Sequence, residues 1–430
     1  MTAVVGILNK EAIAMAADSA VTIDGNNGRK IFNKANKIFT LSKEHPVGVM
    51  IYNSATFMGT PWETIIKVYR KQLGEKSFQT VREYQNDFIE FVREKHFFTS
   101  PEIQIEFLEN LVALVIEDVI KEVVRQNQKL IENPSAENQS LILEALENEF
   151  DTIAQIWNNK NDYCPEFADY TFESFEAYTN EIFNRINQQQ FLQNNIIISE
   201  ELFLKIKRTT YAILRAKENI SNFTGLIFGG FGEDEIYPQL VSLNISMAVD
   251  NRLRFYIDEK QSASITVSQN GAVRPFAQTD VIDTILSGID PSLDNIYLNN
   301  FEALFNKYNN AIIESIGDTN PLLTEQIQKL DTSAIVKEFK KLNQQIKKEN
   351  YISPLMNAVS NLSKEDLSEM AESLIYLTYL KRRITFAEES VGGPVDVAVI
   401  SKGDGFVWIK RKHYFKPELN QHFFNNYFKK

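Results

Sequence analysis

The chain has one cysteine, Cys164, so it can form no disulfide within itself, and a reducing, cytoplasmic setting is expected. Its four histidines, His45, His96, His413 and His422, fall at no metal-ligand spacing, and the His-Glu-x-x-His pattern is missing. Residue counts alone leave a Ser-His-Asp triad open, but no Gly-x-Ser-x-Gly elbow is present. No apolar run approaches the ~20 residues a membrane span needs. The N-terminus lacks the basic-then-apolar order of a signal peptide. A formal net charge of −12 over 430 residues argues against a general nucleic-acid binder, and the acid excess is spread along the chain. That length suits one large or two medium domains, and no internal repeat divides it.

What is present begins at Thr2, which comes after Met1 and opens the apolar stretch Thr2-Ala3-Val4-Val5-Gly6-Ile7-Leu8. A small second residue lets the initiator methionine be trimmed, which would leave a threonine carrying both a hydroxyl and a free α-amine. The unperturbed pKa of such an amine is about 7.7–8.0, so near neutrality a useful fraction is unprotonated. It can take the proton from its own side chain as the oxygen attacks a carbonyl. A well-processed start with no chemistry accounts for the same residue, and only the neighbouring segments can separate the two.

After the polar turn Asn9-Lys10-Glu11 a second apolar run, Ala12 to Ala17, ends in Asp18-Ser19; the pair reads as a buried β-hairpin. The small side chains of Ala14, Ala16 and Ala17 leave space beside it. A third strand is expected at Lys37-Ile38-Phe39-Thr40-Leu41 and a fourth at Val47 to Tyr52. The passage Asn53-Ser54-Ala55-Thr56 then leads to a helix from about Pro61 to Leu73, with Trp62, Ile65, Ile66, Tyr69 and Leu73 at helical spacing.

With Thr2, Ala16-Ala17-Asp18-Ser19, Asn36-Lys37-Ile38 and Tyr52 to Thr56 in view, the chain resembles the β-type peptidase subunits of the proteasome and of the bacterial ATP-dependent two-component protease, within the N-terminal-nucleophile hydrolases. The resemblance implies Thr2 as nucleophile, a buried Asp18 closing the second strand, and a Lys beginning the third. Lys30, Lys34 and Lys37 compete for that place. Counting from Thr2 favours Lys34, whereas Lys37 directly precedes the apolar strand and is preferred. That choice puts about three extra residues into the Asp24-Gly25-Asn26-Asn27-Gly28 loop, which turn formers tolerate. Asp18 would hold the ammonium charged, as an opposite charge within about 4–6 Å does. The backbone N–H of Ser54 would face the oxyanion, a contact worth about 2.7–4 kcal/mol. Ser54 and Ala55 stand where family members place Gly.

Farther on, Phe223 to Gly232 and Tyr237 to Ser242 resemble the family's central hairpin; a phosphate loop at Gly229, Gly230 and Gly232 is disfavoured because no Lys-Ser/Thr pair comes after it. Gly271-Ala272-Val273-Arg274-Pro275-Phe276-Ala277-Gln278 resembles the turn into the third core helix, with Ala272 where a supporting Ser is usual and Ser268 on the wrong side of the turn. Glu388-Glu389-Ser390-Val391-Gly392-Gly393 resembles the last helix-to-strand passage, with Glu388 at the place of an Asp and Ser390 one residue from the place of a Ser.

The expected fold is α+β, a four-layer αββα sandwich with two helical insertions. The core would comprise 2–74, 222–290 and 364–412, the insertions 75–221 and 291–363, and an aromatic tail 413–430. Helices are expected behind Ser77, at Ser100-Pro101, around Ser140–Trp157, Phe172–Ile186 and Glu200–Ala216, and behind Ser363. The first insertion could pack on itself, form a lid, or dock an activator. The tail could bind a neighbouring subunit or its own domain. The function expected is a threonine endopeptidase acting on peptide or unfolded protein, with no cofactor or metal and with neither nucleic acid nor membrane as a partner. The resemblance adds a homo-oligomeric ring and an ATPase activator. A small-molecule amidase or acylase and an inactive scaffold of the same fold are the alternatives.

Overall fold

The computed structural model describes residues 2–25, 28–32, 34–95, 99–128, 132, 135–159, 162–188, 198–316, 325, 333–385, 391–413, 415–422 and 425. In chain order the strands are β1 (Ala3–Asn9), β2 (Ala12–Ala17), β3 (Val21–Gly25), β4 (Gly28–Phe32), β5 (Ile38–Thr40), β6 (Val47–Asn53), β7 (Thr56–Phe57) and β8 (Thr60–Pro61). Beyond a long helical stretch come β9 (Thr224–Gly230), β10 (Gln239–Val249), β11 (Arg252–Ile257), β12 (Ala263–Ser264), β13 (Gly271–Ala277), β14 (Asp396–Ser401) and β15 (Gly405–Lys410). The class is α+β, with antiparallel sheets and helices. No helix among the described residues is long and apolar enough to cross a membrane.

The chain divides into two compact units. One holds Met1–Ile38, Glu235–Gln239 and Ala263–Lys430, the other Phe39–Asp234 and Leu240–Ser262. Each unit thus takes one sheet and one of the two helical stretches.

In the first unit the sheet order is β13-β1-β2-β14-β15, antiparallel throughout. The β1–β2 hairpin closes because Asn9 Oδ1 accepts the N–H groups of Glu11 and Ala12 at 2.9 and 3.2 Å, an Asx turn. One face carries Ala3, Val5, Ile7, Ala12, Ala14, Ala16, Val397 and Val399, packed with Ile282, Val359, Leu367, Ala371 and Leu374. Alanine at alternate positions of β2 lets the helix Lys364–Ile384 lie close against the strand. That helix opens with a capping box between Ser363 and Asp366. The opposite face, with Val4, Leu8, Ile13 and Met15, is buried as well. In the second helical stretch Pro291–Ile316 and Ser333–Lys347 meet through Phe301 and Phe339, whose rings stack at 4.0 Å.

The second unit is built on the order β11-β10-β9-β6-β5. Its core is aromatic, with Trp62, Tyr69, Phe88 and Phe91 packed together and Phe88 reaching Phe228 of β9. The expected helices are at Trp62–Leu73, Val81–Glu94, Pro101–Gln126, Ala136–Asn158, Phe172–Ile186 and Glu200–Arg215. The cap of the second is Thr80 rather than Ser77, because Phe78 packs edge-on against Tyr84 and holds the preceding segment outside the helix.

Several elements differ from expectation. Asp24 and Gly25 pair with Arg29 and Gly28 in a two-stranded hairpin, β3 with β4, where a loop was expected. Residues Gly271–Ala277 form strand β13, not a turn. Pro275 fits there because β13 is the edge of its sheet, where a missing N–H costs no ladder bond. Strand β11 was not anticipated. It carries Arg254, which is fully buried and donates to the carbonyls of Ile213, Leu214, Ala216 and Glu218 at the C-terminus of the helix Glu200–Arg215.

Replacing Arg254 with Met would leave those buried carbonyls without their donor, so Arg254→Met is expected to lower stability by at least about 3 kcal/mol. Denaturant unfolding tracked by circular dichroism measures this, and a loss under about 1 kcal/mol would refute the capping role.

Candidate active site

Thr2 stands directly before β1 and is 3% exposed. The register that pairs Ala3 with Ala277 and Val4 with Ala17 sets this end of β1 beside the ends of β13 and β2. Ala277 has φ of 65°, a left-handed conformation costly for a non-glycine residue. That bend turns the chain so that the Gln278 N–H donates to the Thr2 carbonyl at 3.1 Å.

Asp18 comes immediately after β2 and is 1% exposed. Its backbone N–H donates to the Ala3 carbonyl at 3.1 Å, and its Oδ1 accepts the Ala3 N–H at 2.9 Å. Oδ1 also accepts the Lys37 ammonium at 2.6 Å. Oδ2 accepts the N–H groups of Ala20 and Gly392, each at 3.1 Å. Lys37, 3% exposed, spends a second donor on the Ala20 carbonyl at 2.5 Å. Burial pulls the Lys37 pKa below its ordinary 10.5, and the Asp18 charge opposes that pull. Ser19 completes the corner, its hydroxyl donating to the Pro394 carbonyl and its N–H to the Gly392 carbonyl.

No protein-family model matches the chain, and no curated protein is significantly similar to it.

Of the lysines weighed from sequence, Lys37 is the one on Asp18, while Lys34 is exposed and the side chain of Lys30 lies outside the described residues. Glu388 and Ser390 also lie outside the described residues, whereas Val391, next to them, is buried. Ala272 pairs with Leu8, five residues along the strand from the Ala3–Ala277 pair, so it has no place beside Thr2. Ser268 is exposed and lies within 3.2 Å of the Thr266 hydroxyl.

Ser54 requires a correction. It belongs to the second unit, and its N–H already donates to the Phe223 carbonyl at 3.2 Å, so it is not an open oxyanion donor. The same carbonyl accepts Asn53 Nδ2 at 2.7 Å. Asn53, with φ of 67°, takes the left-handed turn that glycine would otherwise supply, a conformation asparagine tolerates. Trp62 Nε1 holds Thr224 Oγ1 at 2.8 Å, and Thr224 in turn donates to the Ser54 carbonyl at 3.1 Å.

Sequence reasoning missed the backbone partners of the pair, Gly392 N–H and Ala20 C=O, and the donor Gln278 N–H. Only the Gly392-Gly393 doublet signalled any of them. It also missed Asp396 and Lys412, a second buried ion pair at the start of β14.

Because Lys37 is buried, Asp18→Ala would leave a cation with no counter-charge and is expected to cost about 3–5 kcal/mol. Asp18→Ala combined with Lys37→Met should recover the part of that loss due to the unpaired cation, leaving the cost of the orphaned N–H groups of Ala3, Ala20 and Gly392. Thermal unfolding of the single and double variants checks the coupling, and strict additivity would refute it.

Proposed function

We propose that the chain is a threonine amidohydrolase, most simply an endopeptidase, with Thr2 as nucleophile once it is the first residue of the mature chain. One observation carries this reading: a single buried carboxylate, Asp18, holds both the N–H of Ala3 and the ammonium of Lys37. The peptide bond between Thr2 and Ala3 is thereby tied to a buried cation. The four-layer αββα sandwich with two helical insertions is the fold this reading requires. Antiparallel sheets carrying helices are consistent with it.

Thr2 Oγ attacks the scissile carbonyl while the α-amine takes its proton. Lys37, held charged by Asp18, favours the alkoxide character that develops on Oγ. The tetrahedral intermediate collapses as the C–N bond breaks and the α-ammonium passes its proton to the leaving amine. Water, deprotonated by the same amine, then releases the ester. Peptide or unfolded protein as substrate, a homo-oligomeric ring and an ATPase activator belong to the same proposal, and the chemistry calls for no cofactor.

The engaged Ser54 N–H and the distance of Ala272 from Thr2 favour a second reading, a catalytically inactive scaffold. Intact mass of the purified protein before and after an epoxyketone separates the two. A chain beginning at Thr2 that gains one adduct, lost in Thr2→Ala, supports the enzyme, and retained Met1 with no adduct supports the scaffold. Turnover of acyl amides but not of peptides would reassign it as a small-molecule amidase.

Lys37→Ala is expected to lower kcat/KM by at least ~100-fold, and parental activity would refute the role of this lysine. The pH profile of kcat/KM should be bell-shaped. Activity rises as the α-amine loses its proton. It falls as Lys37 loses its own, and since burial lowers that pKa the alkaline limb should lie below 10.5.

A further inference from the structure

Asp396 opens β14 and pairs in register with Ala17, the residue before Asp18. Its neighbours along the strand, Val395 and Val397, belong to the cluster on the helix-covered side of the sheet, so Asp396 is on the other side. Its carboxylate is 3% exposed and accepts both the backbone N–H of Lys412, at 2.9 Å, and the Lys412 ammonium. The Lys412 side chain is 12% exposed. The segment leading into β14 also supplies the Gly392 N–H to Asp18 and the Pro394 carbonyl to Ser19. Asp18 and Lys37 therefore share this corner with a second buried pair that the proposed mechanism does not use.

We propose that Asp396 and Lys412 are positioning residues, a charge-balancing pair in which Asp396 holds the Lys412 cation in check so that Lys37 keeps its own charge beside Asp18. This inference rests on the role given to Lys37 under the proposed function. With all members ionised the cluster of Asp18, Lys37, Asp396 and Lys412 is neutral. The α-amine of a processed Thr2 would add one more group to it. Electrostatics point the same way, since Lys412 acts to lower the Lys37 pKa and Asp396 to raise it. Removing Asp396 alone leaves one cation uncompensated in a low-dielectric corner. Removing Lys412 alone leaves one extra anion, and removing both restores neutrality.

The Lys37 ammonium can be observed directly, by 15N-lysine NMR titration of the full chain with Lys37→Arg to assign the signal. Asp396→Asn is expected to lower the Lys37 midpoint by about one unit or more. Lys412→Met should raise it, and Asp396→Asn with Lys412→Met should return it close to the parental value. If Asp396→Asn fails to fold, Lys412→Met and the double variant still decide the matter. A midpoint unmoved in the folded variants overturns the proposal. In active protein the alkaline limb of kcat/KM should move in the same direction as the midpoint. Midpoints that shift in a parent protein whose Thr2 takes up no epoxyketone would overturn the catalytic reading and leave the charge balance standing.

Discussion

Asp18 divides its two carboxylate oxygens among the N–H groups of Ala3, Ala20 and Gly392 and the ammonium of Lys37, and those contacts bind together segments far apart in the chain. An ion pair with so little solvent is costly to assemble, because each charge gives up its hydration. Backbone donors from three directions and the Ala20 carbonyl on the lysine offset that cost by satisfying the remaining lone pairs and protons. The start of β1, the residues after β2, the approach to β5 and the approach to β14 are thus bound to one point. The first sheet cannot shift register at this corner without breaking several of these bonds at once.

Left-handed backbone marks the ends of two strands. Ala277 takes a left-handed φ where β13 ends against Ala3, and Asn53 takes another where β6 ends. In each case the unfavourable backbone is held by a specific partner, the Gln278 N–H on the Thr2 carbonyl and the Phe223 carbonyl on Asn53 and Ser54. Such corners persist only where the surroundings over-determine them. At the end of β6, where Asn53-Ser54-Ala55-Thr56 holds no glycine, asparagine supplies the turn and its own amide secures it.

The helical additions obey simpler rules. The first packs an aromatic core against its own sheet, and Arg254 of β11 meets the buried carbonyls at the end of the helix Glu200–Arg215. In the second, Leu293, Ile296, Leu304 and Tyr308 stay exposed, and contact between its two long helices runs through Phe301 and Phe339. Each addition belongs to the compact unit of a different sheet.

Much was legible in the residues themselves. The β1–β2 hairpin, the helix capped at Ser363 and the helix begun by Pro101 arise from patterns a few residues long, where hydrophobic period, caps and turn formers act locally, whereas the pairing of Asp18 with Lys37 was expected from the family resemblance. Lys37 could be told from Lys34 because only Lys37 abuts an apolar strand. The rest was not legible, since a backbone donor carries no mark of its partner. Nothing near Ser54 announces that its N–H is spent on Phe223, and nothing near Gly271 announces that the glycine begins an edge strand whose far end, not Ala272, meets Thr2. The amino-acid sequence by itself determined the long helices, the β1–β2 hairpin and β6, and which groups could act as nucleophile, acid and cation, because those are properties of side chains and their spacing. Only the tertiary structure decided that the Gly392 amide faces Asp18 and which second ion pair stands near it, because both are set by register between β2 and β14, hundreds of residues apart.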